Sequence, residues 1–149
     1  MSDPIALQLM RAIETRIRAI LTAGGYHTNL GQNVHVGWPQ RLLADEQAAL
    51  PLVALHPGSD GIDSGNGANQ KATRNVAVEI IANQHETDPD YMEYALFDVR
   101  RALLGLEREI ARVVTTQTGE AAWDEPESSH TLVRLTIPVT IVYTDTYGG

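Results

Sequence analysis

The chain has 149 residues, no cysteine and a formal net charge of -8 at pH 7. This length predicts one domain, the lack of cysteine excludes disulfides and thiolate chemistry, and the acidic balance argues against tight binding to nucleic acid. The N-terminus lacks the pattern of a signal peptide and no apolar run reaches the ~20 residues that cross a membrane, so we expect a soluble protein.

The first predicted element is a helix that begins at Asp3-Pro4 and ends at Gly24-Gly25. Aspartate followed by proline is a typical helix start, and glycine commonly follows the last turn. Apolar side chains at helical spacing form one stripe, with the members Ile5, Leu9, Ile13, Ile17, Ile20 and Leu21. The opposite face is not strongly basic, so we interpret this helix as packing on a sheet and not on a membrane surface.

Weak strand signals follow, from Tyr26 to Gly37 and from Leu52 to His56, with a turn or two of helix predicted between Arg41 and Leu50. The next stretch, from Pro57 to Ala72, is rich in glycine and small polar residues and nearly free of apolar ones. This composition predicts a long loop, and loops beyond about 12–15 residues are mostly functional or disordered. We expect the loop to be mobile in the isolated chain.

A strand and a second helix occupy the middle of the chain. Residues 73–82 alternate as a strand does, with Val76, Val78 and Ile80 on one face. Asp88-Pro89 then repeats the helix start signal, and Gly105 predicts the end of this helix, although apolar spacing continues beyond it. Its stripe consists of Met92, Leu96, Val99 and Leu103.

Residues 113–118 and 121–123 predict a β-hairpin around Thr118-Gly119-Glu120. The acidic run from Asp124 to Ser129 predicts a solvated loop. It lacks the ligand spacing of a calcium-binding loop.

The strongest strand signal lies in residues 130–144. Odd positions from Val133 to Tyr143 are all apolar, whereas even positions mix apolar and polar side chains. Successive strand residues point to opposite faces, so one face of this strand is predicted to join the core. Pro138 cannot donate to a ladder, and we therefore expect an unpaired edge or a bulge there. A long strand with a free edge is typical of a surface that binds partners.

The order of the elements predicts the fold class α+β. Helix, strands, helix and strands follow one another without regular βαβ alternation. We therefore expect a single domain, residues 1–149, with a largely antiparallel or mixed β-sheet and two amphipathic helices packed on one face.

The sequence carries no recognisable catalytic motif. It has neither a phosphate-binding loop nor a dinucleotide-binding glycine pattern before a helix. His35 and His56 lie on predicted strands, but no carboxylate stands at a ligand spacing from either. We therefore predict no enzyme activity, no cofactor and no metal site.

Two segments carry a resemblance to a known family. The second helix contains Tyr-Ala-Leu-Phe-Asp-Val-Arg-Arg-Ala-Leu-Leu-Gly at 94–105, and the last strand ends in Val-Thr-Ile-Val-Tyr at 139–143. Together with an N-terminal amphipathic helix and a middle run of short strands, they resemble the tail terminator (tail completion, or minor tail) proteins of tailed bacteriophages. The resemblance covers nearly the whole chain, although the glycine-rich loop and the hairpin depart from shorter family members.

This resemblance implies a structural role in virion assembly. A family member forms a homo-oligomeric ring, usually a hexamer, that caps the tail tube, ends its polymerisation and joins it to the neck. The implied partners are other copies of the chain, the tail tube protein and a neck or head-completion protein. Phage DNA passes through the lumen without specific binding, and no membrane is involved. The implied location is the virion, after assembly in the host cytoplasm.

Two other interpretations stay open. One is another ring of the neck or baseplate, such as a head-closure protein. The other is a small α+β enzyme or ligand-binding domain, which a concave pocket with converging polar groups would favour.

The sequence predicts two interaction sites. We expect a subunit interface on the polar face of the long strand and the acidic loop, formed by Arg134, Thr136, Thr140, Asp124 and Glu125. Interfaces deplete charge at their centre but favour arginine, so Arg134 is the candidate for an ion pair with the acidic loop of the next copy. We expect docking to the tail tube through the glycine-rich loop, with the residues Ser59, Asp60, Asp63, Asn66, Asn69 and Lys71.

Overall fold

The computed structural model describes residues 3–43, 49–85, 87–124 and 131–147. Its α-helices and strands are, in chain order, α1 (Ile5–Arg18), β1 (Val34–Val36), α2 (Pro39–Leu43), β2 (Leu52–Asn66), β3 (Asn69–Asn83), α3 (Pro89–Ala102), β4 (Val113–Thr118), β5 (Ala122–Asp124) and β6 (Leu132–Thr146). They form one six-stranded sheet in the order β1-β2-β3-β6-β4, with β5 also beside β6. Among the described strands, β1 pairs parallel to β2 and the other pairs are antiparallel. The predicted α+β class is confirmed.

The helices α1 and α3 lie on the same face of the sheet, as predicted. Their apolar stripes are buried in one cluster with alternate strand side chains such as Val53, Val78 and Ile137. Burying one large aliphatic side chain contributes roughly 1.5–3 kcal/mol. This helix–sheet layer is therefore the main core of the protein.

Both helices end before the glycines that were expected to end them. The helix α1 stops at Arg18, and the backbone of Leu21 is already extended, with φ -138° and ψ 143°. Beyond the helix end, the carbonyl of Ile20 accepts a hydrogen bond from the N–H of Gly31 at 2.9 Å. Gly31 is required there, since a Cβ would lie 2.3 Å from the carbonyl oxygen of Arg18. Gly25 and Gly105, both with positive φ, instead border short 3-10 turns.

The long strand β6 is an interior strand of the sheet, which corrects the expectation of a free edge. It pairs with β3 from Leu132 to Thr146 on one side and with β4 and β5 on the other. The predicted alternation is confirmed, because odd residues from Leu135 to Tyr143 are buried and the even ones are half-buried.

The strands β4 and β5 are two pieces of one edge strand and not the hairpin that the sequence predicted. Both run antiparallel to β6, and the gap between them lies opposite Pro138. The N–H of Gly119 donates to the carbonyl of Pro138 at 2.7 Å. Proline has no N–H to return, so the ladder breaks there and resumes at Ala122.

The stretch at 57–72 that was predicted to be a loop belongs to a β-hairpin, which we call the arm (residues 57–75). Within it β2 and β3 stay paired up to Asn66 and Asn69, with register shifts after Pro57 and after Ile62. Small polar residues and glycine have low strand propensity, but β6 runs beside β3 as far as Thr146 and so extends the sheet along the arm. The expected loop is therefore wrong, while mobility of this stretch in the isolated chain stays a prediction.

The helix α2 covers part of the other sheet face. Its side chains Leu42 and Leu43 pack with Leu52, Ala54 and Ile81. Alternation along β2 and β3 places these residues on the face turned away from α1 and α3. The remainder of this face, which we call the open face, carries the polar side chains of Thr73, Asn75, Glu79, Arg134, Thr136 and Thr140 together with the apolar residues Ala77, Pro138 and Val142.

Candidate interaction surfaces

The open face brings two predicted interface residues together around a nearly buried carboxylate. Glu79 is 7% exposed and lies opposite Thr136 in the β3–β6 register. Oγ1 of Thr136 donates to Oε1 of Glu79 at 3.3 Å, and Nη1 of Arg134 lies 3.7 Å from the same oxygen. Nε2 of His56 lies 2.6 Å from Oε2, and the ring of Trp38 stacks on the imidazole with centroids 5.5 Å apart.

The sequence pattern did not predict Glu79 as a partner of Arg134 and His56. A signal was present, because Glu79 and Arg134 both occupy polar positions in alternating strands. Their meeting depends on strand register, which a single strand pattern does not reveal. Arg134 therefore has a carboxylate within its own chain, in addition to any that a neighbouring copy supplies.

The remaining interface candidates also lie near β6. Oγ1 of Thr140 donates to Oδ1 of Asn75 at 2.9 Å. Asp124 is exposed and lies opposite Arg134 in the β5–β6 register. Glu125 lies outside the described residues. The described candidates thus form one polar strip, and its place at a subunit boundary remains a proposal.

The predicted docking residues all lie on the arm and are exposed. Several of them already have partners across the hairpin. The amide of Asn75 donates to Oγ of Ser59 at 2.8 Å, and the hydroxyl of Thr73 donates to the carboxylate of Asp63. These bonds hold the arm extended despite its small side chains.

Asp60 anchors the arm to the core. The hydroxyl of Tyr143, a buried residue of β6, donates to Oδ2 of Asp60 at 2.6 Å, and Nη1 of Arg74 lies 3.0 Å from the same oxygen. Burial raises the pKa of Tyr143, and the hydrogen bond and charge of Asp60 raise it further. Asp60 therefore has a structural role, whatever it contacts in an assembly.

We expect the free energy of unfolding to fall as pH rises above the ordinary tyrosine pKa of 10.0. Tyr143 ionises near that pH in the unfolded chain but stays protonated in the fold, so the unfolded state binds fewer protons and gains stability. Tyr143→Phe should make this decline shallower. Urea denaturation at several alkaline pH values measures the slope, and Tyr94→Phe, at an exposed tyrosine, is the control. An unchanged slope in Tyr143→Phe would contradict the assignment.

An aromatic patch, formed by His27 and by Tyr94 and Phe97 of α3, is not among the predicted interaction residues. The ring of His27 lies 5.0 Å from that of Tyr94 and 5.4 Å from that of Phe97, measured between centroids. Behind the patch, the fully buried Asp98 accepts bonds from the N–H and the hydroxyl of Thr28, both at 2.8 Å. It also accepts the N–H of His27 at 3.1 Å. Asp98 therefore fixes the 26–28 segment on α3.

An open depression of about 670 Å³ lies beside Trp38 and is lined by Asn33, His35, Val36, Gly37, Arg41, Leu42, Ala49, Leu52 and Pro57. The amide of Asn33 is bonded within the chain, to the carbonyls of Ala49 and Pro51 and to the ring of His35. In residues 3–43, 49–85, 87–124 and 131–147, no three His, Asp or Glu side chains are placed to hold one metal ion. No helix in these ranges is both long and apolar enough to cross a membrane.

These features define an α+β protein in which one mixed sheet carries two helices on one face and extends into an exposed arm. The fold is similar to that of a chain in a solved structure described as the virion of a native gene transfer agent particle. The TM-score is 0.63 with 15% sequence identity, over 92% of this chain and 95% of that chain. No protein-family model and no curated protein matches. At this identity the similarity concerns the fold.

Proposed function

We propose that this chain is a structural protein of a phage-like virion and that it forms the ring that ends and caps the tail tube. The observation that carries the proposal is the fold similarity to a virion chain over 92% of the length. The finer role, tail termination, rests on the resemblance of residues 94–105 and 139–143 to the terminator family. A protein with this role lacks a reaction to catalyse.

Two surfaces are proposed for assembly. The polar strip of Arg134, Thr136 and Thr140 is half-buried in the single chain, which suits a subunit boundary with little charge at its centre. The side chain of Arg134 is 37% exposed, so it can still reach Asp124 or Glu125 of the next copy. The exposed arm is proposed to dock on the tail tube. The net charge of -8 suits a lumen through which DNA slides without being held.

The mass of the purified protein tests the ring. Light scattering across a concentration series should show a hexamer, and electron micrographs should show rings with a central hole. A chain that stays monomeric at high concentration, and also in the presence of tail tubes, would contradict the proposal. The alternative of a head-closure ring differs in its partner, because it would bind the portal side and not assembled tubes.

Shortening the arm should impair tail completion but leave the fold intact. Residues 62–72 can be replaced by an Asn-Gly turn, because Gly61 and Thr73 lie opposite each other in the ladder. The bonds of Asp60 to Tyr143 and Arg74 are kept. Circular dichroism should show a folded protein, while tubes assembled with it should vary in length. Tubes that end normally would show that the arm does not dock.

A further inference from the structure

We propose that copies of this chain join head to tail through two unpaired stretches of the sheet, the outer part of β2 in one copy and β4 in the next. This inference rests on the proposed ring and places the contact that closes it at the sheet edges, in place of the polar strip of Arg134, Thr136 and Thr140. The junction is a new antiparallel ladder between Asp60 and Ile62 on one side and Thr116 and Thr118 on the other.

Both stretches lack an outer neighbour among the described strands. The strand β1 pairs with β2 only at residues 53–55, so residues 57–66 have β3 on one side and no described strand on the other. At the other end of the sheet, β4 has β6 as its described neighbour. Unpaired strand edges invite pairing with another chain.

The bond between Gly119 and Pro138 shows which backbone groups point out of β4. These two residues face each other as a hydrogen-bonded pair. Bonded and non-bonded positions alternate along an antiparallel ladder. With Thr118 opposite Val139 in the register, Thr116 and Thr118 therefore turn their N–H and C=O groups away from β6.

The same alternation extends across the sheet to β2. The N–H and C=O groups of even β6 residues point toward β4. Those of odd β6 residues therefore point toward β3 and bond to its even residues. In the β2–β3 register, Asp60 lies opposite Arg74 and Ile62 lies opposite Ala72. The backbone N–H and C=O groups of Arg74 and Ala72 therefore point toward β6 and not toward β2. Asp60 and Ile62 consequently direct their N–H and C=O groups outward. Each edge therefore has two residues whose backbone N–H and C=O groups point outward, and these residues are two positions apart.

The strand directions suit a head-to-tail junction. Neighbours along β2-β3-β6-β4 are all antiparallel, so β2 and β4 run in opposite directions. A rotation that brings β2 of the next copy beside β4 makes one more antiparallel pair. The four outward residues also share the face that carries α1 and α3, because their register partners Ala72, Arg74, Val139 and Ile141 alternate with the open face. The joined sheets therefore keep the helices on one side.

Charge favours β4 over a second β2 as the partner. The strand β2 carries Asp60 and Asp63 and no cation, so pairing two such edges would bring four carboxylates together. The strand β4 is uncharged and follows Arg112. Each edge also exposes one aliphatic side chain, Ile62 at 55% and Val114 at 52%. Burying these side chains favours association.

Engineered cysteines test the junction, because the chain has none of its own. Facing residues of a ladder lie within the Cα separation that a disulfide requires. Ile62→Cys mixed with Thr116→Cys, its facing residue in this ladder, should give cross-linked heterodimers several-fold faster than Ile62→Cys mixed with Leu7→Cys, an exposed position on α1. A double variant with Ile62→Cys and Thr116→Cys should give a ladder of bands that stops at the ring number.

A second pair of variants tests the outward backbone group directly. Thr116→Pro removes an N–H that the intramolecular ladder does not use, so the variant should fold but lose assembled mass. Both variants lose the hydrogen bond that the hydroxyl of Thr116 donates to Glu107. Thr116→Val keeps the backbone N–H, so it should assemble normally. Equal assembly of the two variants would overturn the inference.

The outcomes separate this inference from the proposed function. Rings in micrographs without cross-links above the control would overturn the junction and leave the ring standing. Cross-links only between two Thr116→Cys chains would show a symmetric β4–β4 contact and also overturn it. Cross-linked rings that do not bind tail tubes would support the junction and contradict tail termination.

Discussion

Asp98→Ala should lower the free energy of unfolding by about 3 kcal/mol. Its carboxylate is fully buried and accepts the N–H groups of His27 and Thr28 and the hydroxyl of Thr28. Removing it leaves these three donors without a partner inside the protein. Urea denaturation followed by far-ultraviolet circular dichroism measures the change.

The matched variant is Asp98→Asn, which keeps the volume and one acceptor oxygen. It should cost less than Asp98→Ala, because at least one donor keeps a partner. Asp98→Ala should also loosen the stacking of His27 on Tyr94, which near-ultraviolet circular dichroism detects. A loss of stability below about 1 kcal/mol in Asp98→Ala would contradict the structural role of this carboxylate.

Ile137→Ala should lower the free energy of unfolding by about 2–5 kcal/mol. Ile137 is fully buried at the centre of β6, between the sheet and the helices α1 and α3. Truncation removes apolar contacts and leaves a cavity that the close-packed layer fills only in part. Thermal or urea unfolding gives the magnitude.

The control is Val142→Ala, on the same strand but on the half-buried open face. It should cost less than about 1.5 kcal/mol, because it removes fewer buried contacts. Equal losses in the two variants would show that both faces of β6 are equally covered. The assignment of one core face and one open face would then be wrong.

The arm shows where local patterns fail. Glycine, serine and asparagine between Pro57 and Ala72 predicted a loop, yet this stretch forms a ladder with β3. Composition measures local preference, whereas the ladder depends on β6, which is about 70 residues away in the chain and extends the same sheet. The site residues Asp60 and Tyr143 meet for the same reason.

Periodicity within single segments was enough to identify both long helices, the buried face of β6 and the interruption at Pro138. These features depend on the spacing of apolar residues and on the missing N–H of proline, which are local properties. Tertiary structure alone decided that β6 is an interior strand, that β4 and β5 share one edge and that Glu79 meets His56 and Arg134. Each of these depends on pairing between distant segments, and register and neighbour choice arise only when the whole sheet assembles.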